Sequence, residues 1–172
     1  MAINQRGEAA EISMPRLMIT CLRGGKANNS KVKFAGFGFV LEGEKVLKNL
    51  HALYKLVRKQ LASGKQGEAG LKFVSGSFLC TSDTINDSIK VLEEAIKNSG
   101  LENVKIFVNC NANDFYNDKT GKYEMEGAKS LFDSNQFTEY FIKLLNDHPL
   151  VTYLEDPMSD KDLNGWRILT VS

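Results

Sequence analysis

The chain has 172 residues, 42% of them hydrophobic and 25% charged, which suits one globular core and leaves no length for two large domains. A formal net charge of +1 gives no sign of a nucleic-acid partner or an acidic membrane surface. Three widely spaced cysteines form no CxxC pair, so we expect neither disulfides nor zinc, and a reducing, cytoplasmic location. No apolar run approaches the roughly 20 residues of a membrane span, and the N-terminus lacks a signal-peptide pattern.

The first part of the chain predicts a polar arm followed by two paired strands. Residues 1–14 are small and polar, so the domain proper is expected to span 15–172. The runs Leu17–Leu22 and Val32–Leu41 are apolar, aromatic or β-branched and predict strands. The loop of about nine residues between them is too short for a crossover helix. The two strands should therefore be antiparallel neighbours.

Two helices are predicted next, one after the other. Apolar residues recur at intervals of three and four over 44–61 and again over 84–100, where Ser82 or Asp83 can cap the start and Gly100 supplies the stop. The segment 71–80 between them contains small residues among apolar ones, and we expect it to be extended or irregular.

The remainder of the chain returns to alternating strands and helices. Strands are predicted over 104–110 and 150–154, and helices over 135–146 and 160–169. Residues 114–125 have the turn composition of a small hairpin excursion. The order strand, strand, helix, helix, strand, helix, strand, helix predicts an α/β protein with an antiparallel start.

The segment Leu154-Glu155-Asp156-Pro157 is the strongest candidate for a chemical site. Carboxylates at the carboxyl end of a strand are where α/β barrels place metal ligands and acid–base groups. The alternative is a solvated turn in which Asp156 caps the helix that follows Pro157. Residue types alone leave both interpretations open.

Two other features have simpler explanations. His51 and His148 lack partners at metal-ligand spacing, so both are expected to be structural. The helix over 44–61 carries a basic face, which is either a solvated surface or a docking patch for an acidic partner. Its cationic residues are Lys45, Lys48, Lys55, Arg58 and Lys59.

Several segments resemble the enolase family. Residues 153–166, YLEDPMSDKDLNGW, are similar to the enolase motif I-E-D-P-F…D…W, and residues 109–125, NCNANDFYNDKTGKYEM, are similar to its S-E-F-Y…G-K-Y excursion. Residues 14–25 and 84–100 resemble the enolase segments L-P-V-P…N-V-L-N-G-G and T-A-E-E-A-L…A-I-K…G. The resemblance implies a half of the enolase-type TIM barrel, with ββααβαβ order and an antiparallel first hairpin.

The resemblance also shows where catalytic residues are replaced. Enolases dehydrate 2-phosphoglycerate with a lysine base, assisting glutamates and Mg²⁺ held by three carboxylates. The segment 24–30, GGKANNS, stands where the family has G-G-S-H-A-G-G. The family's histidine, its two glutamates and its first metal aspartate correspond here to Ala27, Gly36, Ser75 and Asn109, and the second metal carboxylate is kept as Glu155. With one carboxylate left, Mg²⁺ binding is not expected, and no cofactor or catalytic residue is predicted.

The implied function is that of a pseudoenzyme. The family's third metal ligand, lysine base and N-terminal domain have no counterpart in these 172 residues. A half barrel leaves strand edges and an apolar interior to be covered, so we expect other protein subunits of a large complex as partners, without nucleic acid or membrane, and no free monomer. Because enolase-like proteins occur in ciliary axonemes, the resemblance suggests a ciliary, cytoskeletal assembly. The alternative is one half of a split enolase, or a module that binds phospho-ligands.

Overall fold

The computed structural model describes residues 15–43, 45–64, 67, 71–125 and 131–172. In chain order the strands are β1 (Leu17–Arg23), β2 (Gly36–Leu41), β3 (Phe73–Val74), β4 (Ser77–Leu79), β5 (Lys105–Asn109), β6 (Tyr116–Asn117), β7 (Lys122–Glu124), β8 (Leu131–Phe132) and β9 (Val151–Glu155). The helices are α1 (Val46–Ala62), α2 (Ile85–Ser99), α3 (Ser134–Asp147) and α4 (Leu163–Val171).

The main sheet has the strand order β3-β4-β1-β2-β5-β9. β2 runs antiparallel to both of its neighbours, β1 and β5, while β9 runs parallel to β5. β1, β5 and β9 therefore point the same way, and their carboxyl ends lie at one edge of the sheet. Within the part of the chain that the structure describes, β9 is paired on one side only. The architecture is an open, partial barrel.

One face of the sheet is buried against the helices. Phe37 and Phe39 of β2 and Ile106 and Val108 of β5 alternate toward this side and are fully buried. The helices supply the other half of the core through their apolar stripes. The buried helical side chains include Leu53, Val57, Ile89, Leu92, Phe137 and Phe141.

The opposite face, which would line the barrel interior, is partly covered by its own side chains. Phe107 and Gly38 are register partners on β5 and β2. A Cβ atom at Gly38 would lie 2.5 Å from Phe107 Cε1 and 2.1 Å from the carbonyl oxygen of Ile19, so only glycine fits there. The Phe107 ring packs across this glycine and is 3% exposed. Met18 and Tyr153, on the same face, remain 40% and 48% exposed.

α2, α3 and α4 begin at side-chain N-caps, whereas Lys45 before α1 makes no capping hydrogen bond through its side chain. The cap of α2 is Thr84, which accepts a hydrogen bond from the Asp87 amide, and not the predicted Ser82 or Asp83. Asp133 and Gln136 form a capping box at the start of α3. Gly100 ends α2 in the left-handed conformation, with φ 67°. These local signals explain why the helix bounds follow the sequence pattern closely.

The predicted order of elements and the antiparallel first hairpin are confirmed. The predicted strand over Val32–Leu41 begins too early, because Val32 and Phe34 are buried in a loop whose Val32 and Ala35 carbonyls accept from Gly25 and Gly24. The segment predicted to be extended or irregular at 71–80 is extended and forms the β3–β4 hairpin, and β4 pairs in parallel with β1.

Three further predicted segments remain: one starts later in the structure, one is extended by a further strand, and one lies outside the described residues. The last helix starts at Leu163 rather than at residue 160, because Asp162 is its N-cap. The hairpin predicted over 114–125 is present as β6 and β7, and β8 extends it to a second, three-stranded sheet. The predicted arm at 1–14 lies outside the described residues.

Candidate functional site

One row of residues crosses the main sheet at the carboxyl ends of β1, β5 and β9. The register pairs are Arg23 with Gly36, Gly36 with Asn109, and Asn109 with Glu155. Residues opposite each other in a sheet share a face, and neighbouring strands lie about 4.8 Å apart. We call these four residues the mouth row. Three of the predicted site positions, Gly36, Asn109 and Glu155, are therefore brought together.

The other two predicted positions differ in their relation to the row. Ala27 is exposed in a short 3₁₀ turn, Lys26–Asn28, that follows β1 at the mouth end of the sheet. Ser75 lies in the β3–β4 turn with φ 50° and is exposed. Because β4 runs parallel to β1, this turn precedes the amino end of β4 and points away from the mouth row. Ser75 is thus not part of the cluster.

The mouth row has an unusual set of polar atoms for a metal site. Within the described residues, Arg23 Nε and Asn109 Oδ1 are buried side-chain atoms without a hydrogen-bond partner. Gly36 stands between them and contributes no side chain. The row therefore combines a cationic guanidinium, a neutral amide and a single carboxylate, Glu155. Mg²⁺ prefers carboxylate oxygens, and a nearby cation repels it. These residues by themselves do not fit Mg²⁺.

Asp156, immediately after the row, is a solvated turn residue. It is exposed and has the left-handed φ of 47°, while its carbonyl oxygen accepts from the Ala112 amide at 3.1 Å. The expectation that Asp156 caps the following helix is wrong, since the cap is Asp162. Burial, reinforced by the negative charges of Asp156 and Glu155, raises the pKa of the Cys110 thiol well above its ordinary value.

A second polar cluster, centred on the buried Asp162, was not identified from the sequence. Tyr123 Oη and Ser134 Oγ donate to Asp162 Oδ2 at 2.8 and 2.7 Å, and the Gly165 amide donates to Oδ1 at 2.8 Å. The Tyr123 hydroxyl in turn accepts from the Ser159 amide at 3.1 Å. Burial is the main cause that raises the pKa of Tyr123 above its ordinary value.

This cluster connects elements that are far apart in the chain and has the character of a structural joint. It ties the β7 strand and the start of α3 to the first turn of α4. Both carboxylate oxygens of Asp162 accept hydrogen bonds, so this buried group keeps its hydrogen-bonding capacity filled. The only local signal for it was the spacing of Asp162 and Gly165, which suits an N-cap.

The described residues contain no group of three or more His, Cys, Asp or Glu side chains arranged to hold a metal ion. In the same residues, no helix combines the length and apolar composition needed to cross a bilayer.

The two histidines differ in their surroundings. His51 lies exposed on α1. His148 is buried at the end of α3, where its Nδ1 lies 3.0 Å from Glu93 Oε1, a contact that joins α3 to α2.

The sequence was also compared with known protein families. It matches the family model described as enolase, C-terminal TIM barrel domain, over residues 11–172. The match covers the main sheet, the four helices and the whole of the mouth row. Both the open partial barrel and the resemblance of the motifs agree with this result. The chain belongs to the enolase family, in which it represents the C-terminal barrel domain.

Proposed function

We propose that this chain is a non-catalytic member of the enolase family that acts by binding other proteins. The observation that supports the proposal is the composition of the mouth row. Its register places Arg23, Gly36, Asn109 and Glu155 side by side at the sheet edge formed by the carboxyl ends of β1, β5 and β9, and α/β barrels carry their active sites at the carboxyl ends of their strands. One carboxylate among four positions is too few to hold a divalent cation against a guanidinium in the same row.

The loss of general acid–base groups acts in the same direction. The resemblance assigns the family's histidine and one of its glutamates to Ala27 and Gly36, which have no titratable side chain. Ser75, which corresponds to the second glutamate in the resemblance, lies outside the mouth row. Each general acid or base contributes about 10²–10⁴-fold to a rate. Without these groups and the metal, no dehydration of phosphoglycerate is expected from these residues.

The protein-binding half of the proposal is supported by the open side of the sheet. Met18 and Tyr153 are exposed on the barrel-interior face, and β9 presents unpaired backbone groups within the described part of the chain. Tyr153 lies on β9 itself, and an unpaired strand with an exposed apolar side chain favours association with another polypeptide. A ciliary axoneme stays a prediction from the resemblance and is tested by the companions of the native protein.

The test measures catalysis and ligand binding on the purified chain. Phosphoenolpyruvate formation is followed by ultraviolet absorbance, and binding of 2-phosphoglycerate is followed by calorimetry with Mg²⁺ and with EDTA. We expect no turnover and no Mg²⁺-dependent binding, and Glu155→Gln should change neither. Turnover, or Mg²⁺-dependent binding that Glu155→Gln abolishes, would overturn the proposal.

The partner half is tested by the size of the native protein in a gentle cell extract. Sedimentation combined with mass spectrometry identifies the proteins that travel with it. We expect a large particle of reproducible composition. Migration as a single chain, or only with copies of itself, would refute the role as a subunit.

One observation favours a second candidate, a module that binds an anionic phospho-ligand without metal. The buried Arg23 Nε has no partner among the described residues and can donate to an oxyanion at the mouth. This candidate predicts phosphoglycerate binding in EDTA that Arg23→Gln weakens, whereas the exposed control Arg167→Gln leaves it unchanged. Equal binding by both variants would exclude the mouth row as the site.

A further inference from the structure

The outer side of α1 carries a continuous stripe of lysines. Lys45, Lys48, Lys55 and Lys59 are all exposed. At 100° per residue Lys48, Lys55 and Lys59 lie opposite the buried side of the helix, and Lys45 is the N-cap residue before the first turn. The buried side is marked by Leu53 and Val57. We call these four residues the lysine stripe. α1 itself, from Val46 to Ala62, contains no acidic residue. Within the described residues no carboxylate forms an ion pair with any of the four lysines.

This concentration of charge is local. The whole chain has a net charge of only +1, with 22 basic and 21 acidic residues. Without the four stripe lysines the chain has 18 basic and 21 acidic residues, a net charge of −3, so the stripe is a positive surface on an otherwise acidic protein, and its attraction for an anionic partner is not shared by the rest of the molecule. Because barrel helices have their outer side toward solvent, the stripe is exposed in an open barrel and in a complete one alike.

We propose that the lysine stripe docks an acidic, extended polypeptide segment. The inference rests on the proposed protein-binding function and names the chemistry of the partner. From Lys45 to Lys59 the helix rises about 21 Å. An extended strand covers that distance with about six residues. The segment that fits therefore has roughly six residues and several Asp or Glu side chains.

The residues between the lysines favour a polypeptide over a lipid surface or a nucleic acid. Ala52 lies in the middle of the stripe, where its small side chain allows a peptide backbone to approach. On the exposed side of α1 only His51 has a ring that can stack on a base and only Arg58 has a guanidinium for bidentate phosphate contacts, fewer than a nucleic-acid groove uses. Leu47, which is 74% exposed at the first turn, provides one apolar contact for a side chain of the partner, too few to insert into a bilayer.

The experiment uses a fluorescein-labelled peptide of about eight residues, half of them glutamate, long enough to span the stripe. Fluorescence anisotropy measures its binding to the full chain at low salt, and a glutamine analogue of the peptide is the ligand control. The test variant is Lys48→Glu with Lys55→Glu. The matched variant is Lys90→Glu with Lys143→Glu, exposed lysines of α2 and α3 that give the same change in net charge.

We expect the peptide to bind, and the α1 double variant to raise its Kd about tenfold or more, while the matched variant changes it less than about threefold. Circular dichroism establishes that both variants are folded, and the charge-neutral pair Lys48→Gln with Lys55→Gln should have an intermediate effect. Equal weakening by both reversal variants would show that net charge, not the stripe, attracts the peptide. Binding of anionic vesicles or duplex DNA through α1, without binding of the peptide, would also overturn the proposal.

The same variants separate this inference from the proposed function. If the α1 double variant still sediments in a large particle with the wild-type companions, the protein is a subunit but the stripe is not its docking surface. If the wild-type chain binds the peptide yet migrates alone in the extract, the subunit role fails while the stripe retains its acidic ligand.

Discussion

Replacement of Asn109 by aspartate would place a second carboxylate in the mouth row. Without a metal ion between them, the two carboxylates should repel each other and destabilise the fold. Asn109 and Glu155 are register partners on parallel strands, with neither side chain fully exposed. Two carboxylates about 5 Å apart repel each other by about 3 kcal/mol at an effective dielectric constant of about 20. Partial solvation lowers this, so Asn109→Asp should reduce the free energy of unfolding by about 2 kcal/mol in EDTA. Mg²⁺ at ten times its Kd would return about 1.4 kcal/mol.

The measurement is urea unfolding of both chains in EDTA and in excess Mg²⁺, with Asn86→Asp in the exposed first turn of α2 as a control. The control should stay within about 0.5 kcal/mol of wild type in either buffer. Acidification should shrink the deficit of the Asn109 variant, since protonation of one carboxyl ends the repulsion. Two results would show that the description of the mouth row is wrong. In the first, Asn109→Asp is as stable as the control in EDTA and is not stabilised by Mg²⁺. In the second, Mg²⁺ stabilises the wild-type chain as much as the variant.

Three further predictions concern the core. Gly38→Ala should lower the free energy of unfolding in urea by about 3 kcal/mol or more, because the new Cβ collides with backbone and ring atoms. The control Gly100→Ala, whose Cβ meets nothing within 4 Å, should lower it by only about 1 kcal/mol. Equal losses would contradict the close packing at Gly38. Asp162→Asn should lower the free energy of unfolding by about 2–4 kcal/mol, because buried donors lose their charged acceptor. The exposed control Asp147→Asn should leave it nearly unchanged. If both variants are as stable as the wild type, Asp162 has no structural role. Burial raises the pKa of the Cys21 thiol from 9.0 to about 12, so this thiol should resist Ellman's reagent at pH 8 until urea is added. The contribution of the buried thiol to the free energy of unfolding should be complete below pH 9 and fall as the pH rises toward 12. Rapid labelling of the folded chain would show that Cys21 is open to solvent.

Much of the fold could be predicted because its signals are local. Helix periods and stops such as Gly100 act within a few residues. The cap of α2 was predicted one or two residues too early, at Ser82 or Asp83 instead of Thr84. The antiparallel first hairpin followed from the length of one loop. The start of β2 could not be placed, because Val32 and Phe34 are as apolar as strand residues but are buried by the fold of a loop. Hydrophobicity reports burial and not backbone conformation.

The candidate site could be predicted only in part, because its residues come from strands that are far apart in the sequence. The resemblance selected Gly36, Asn109 and Glu155, and strand register, a non-local property, then brought them into one row. Arg23 drew no attention in the sequence, because an arginine at a strand end is usually solvated. Its place in the row depends on the register of β1 with β2, which shifts between Thr20 and Leu22 and is not determined by the length of the loop. Ser75 was selected by similarity of sequence, but the hairpin that contains it turns away.

The Asp162 joint has a consequence for the order of folding. Its hydrogen bonds to Ser134 and Tyr123 span 28 and 39 residues of chain. Loop closure must precede such contacts, whereas the β1–β2 hairpin forms from neighbouring segments. The corner that joins β7, α3 and α4 should therefore form late and open first in the native state. Amide hydrogen exchange at Gly165 and Ser159 would then be faster than exchange at Phe37 and Phe39, and would report the opening of this corner while the sheet stays intact.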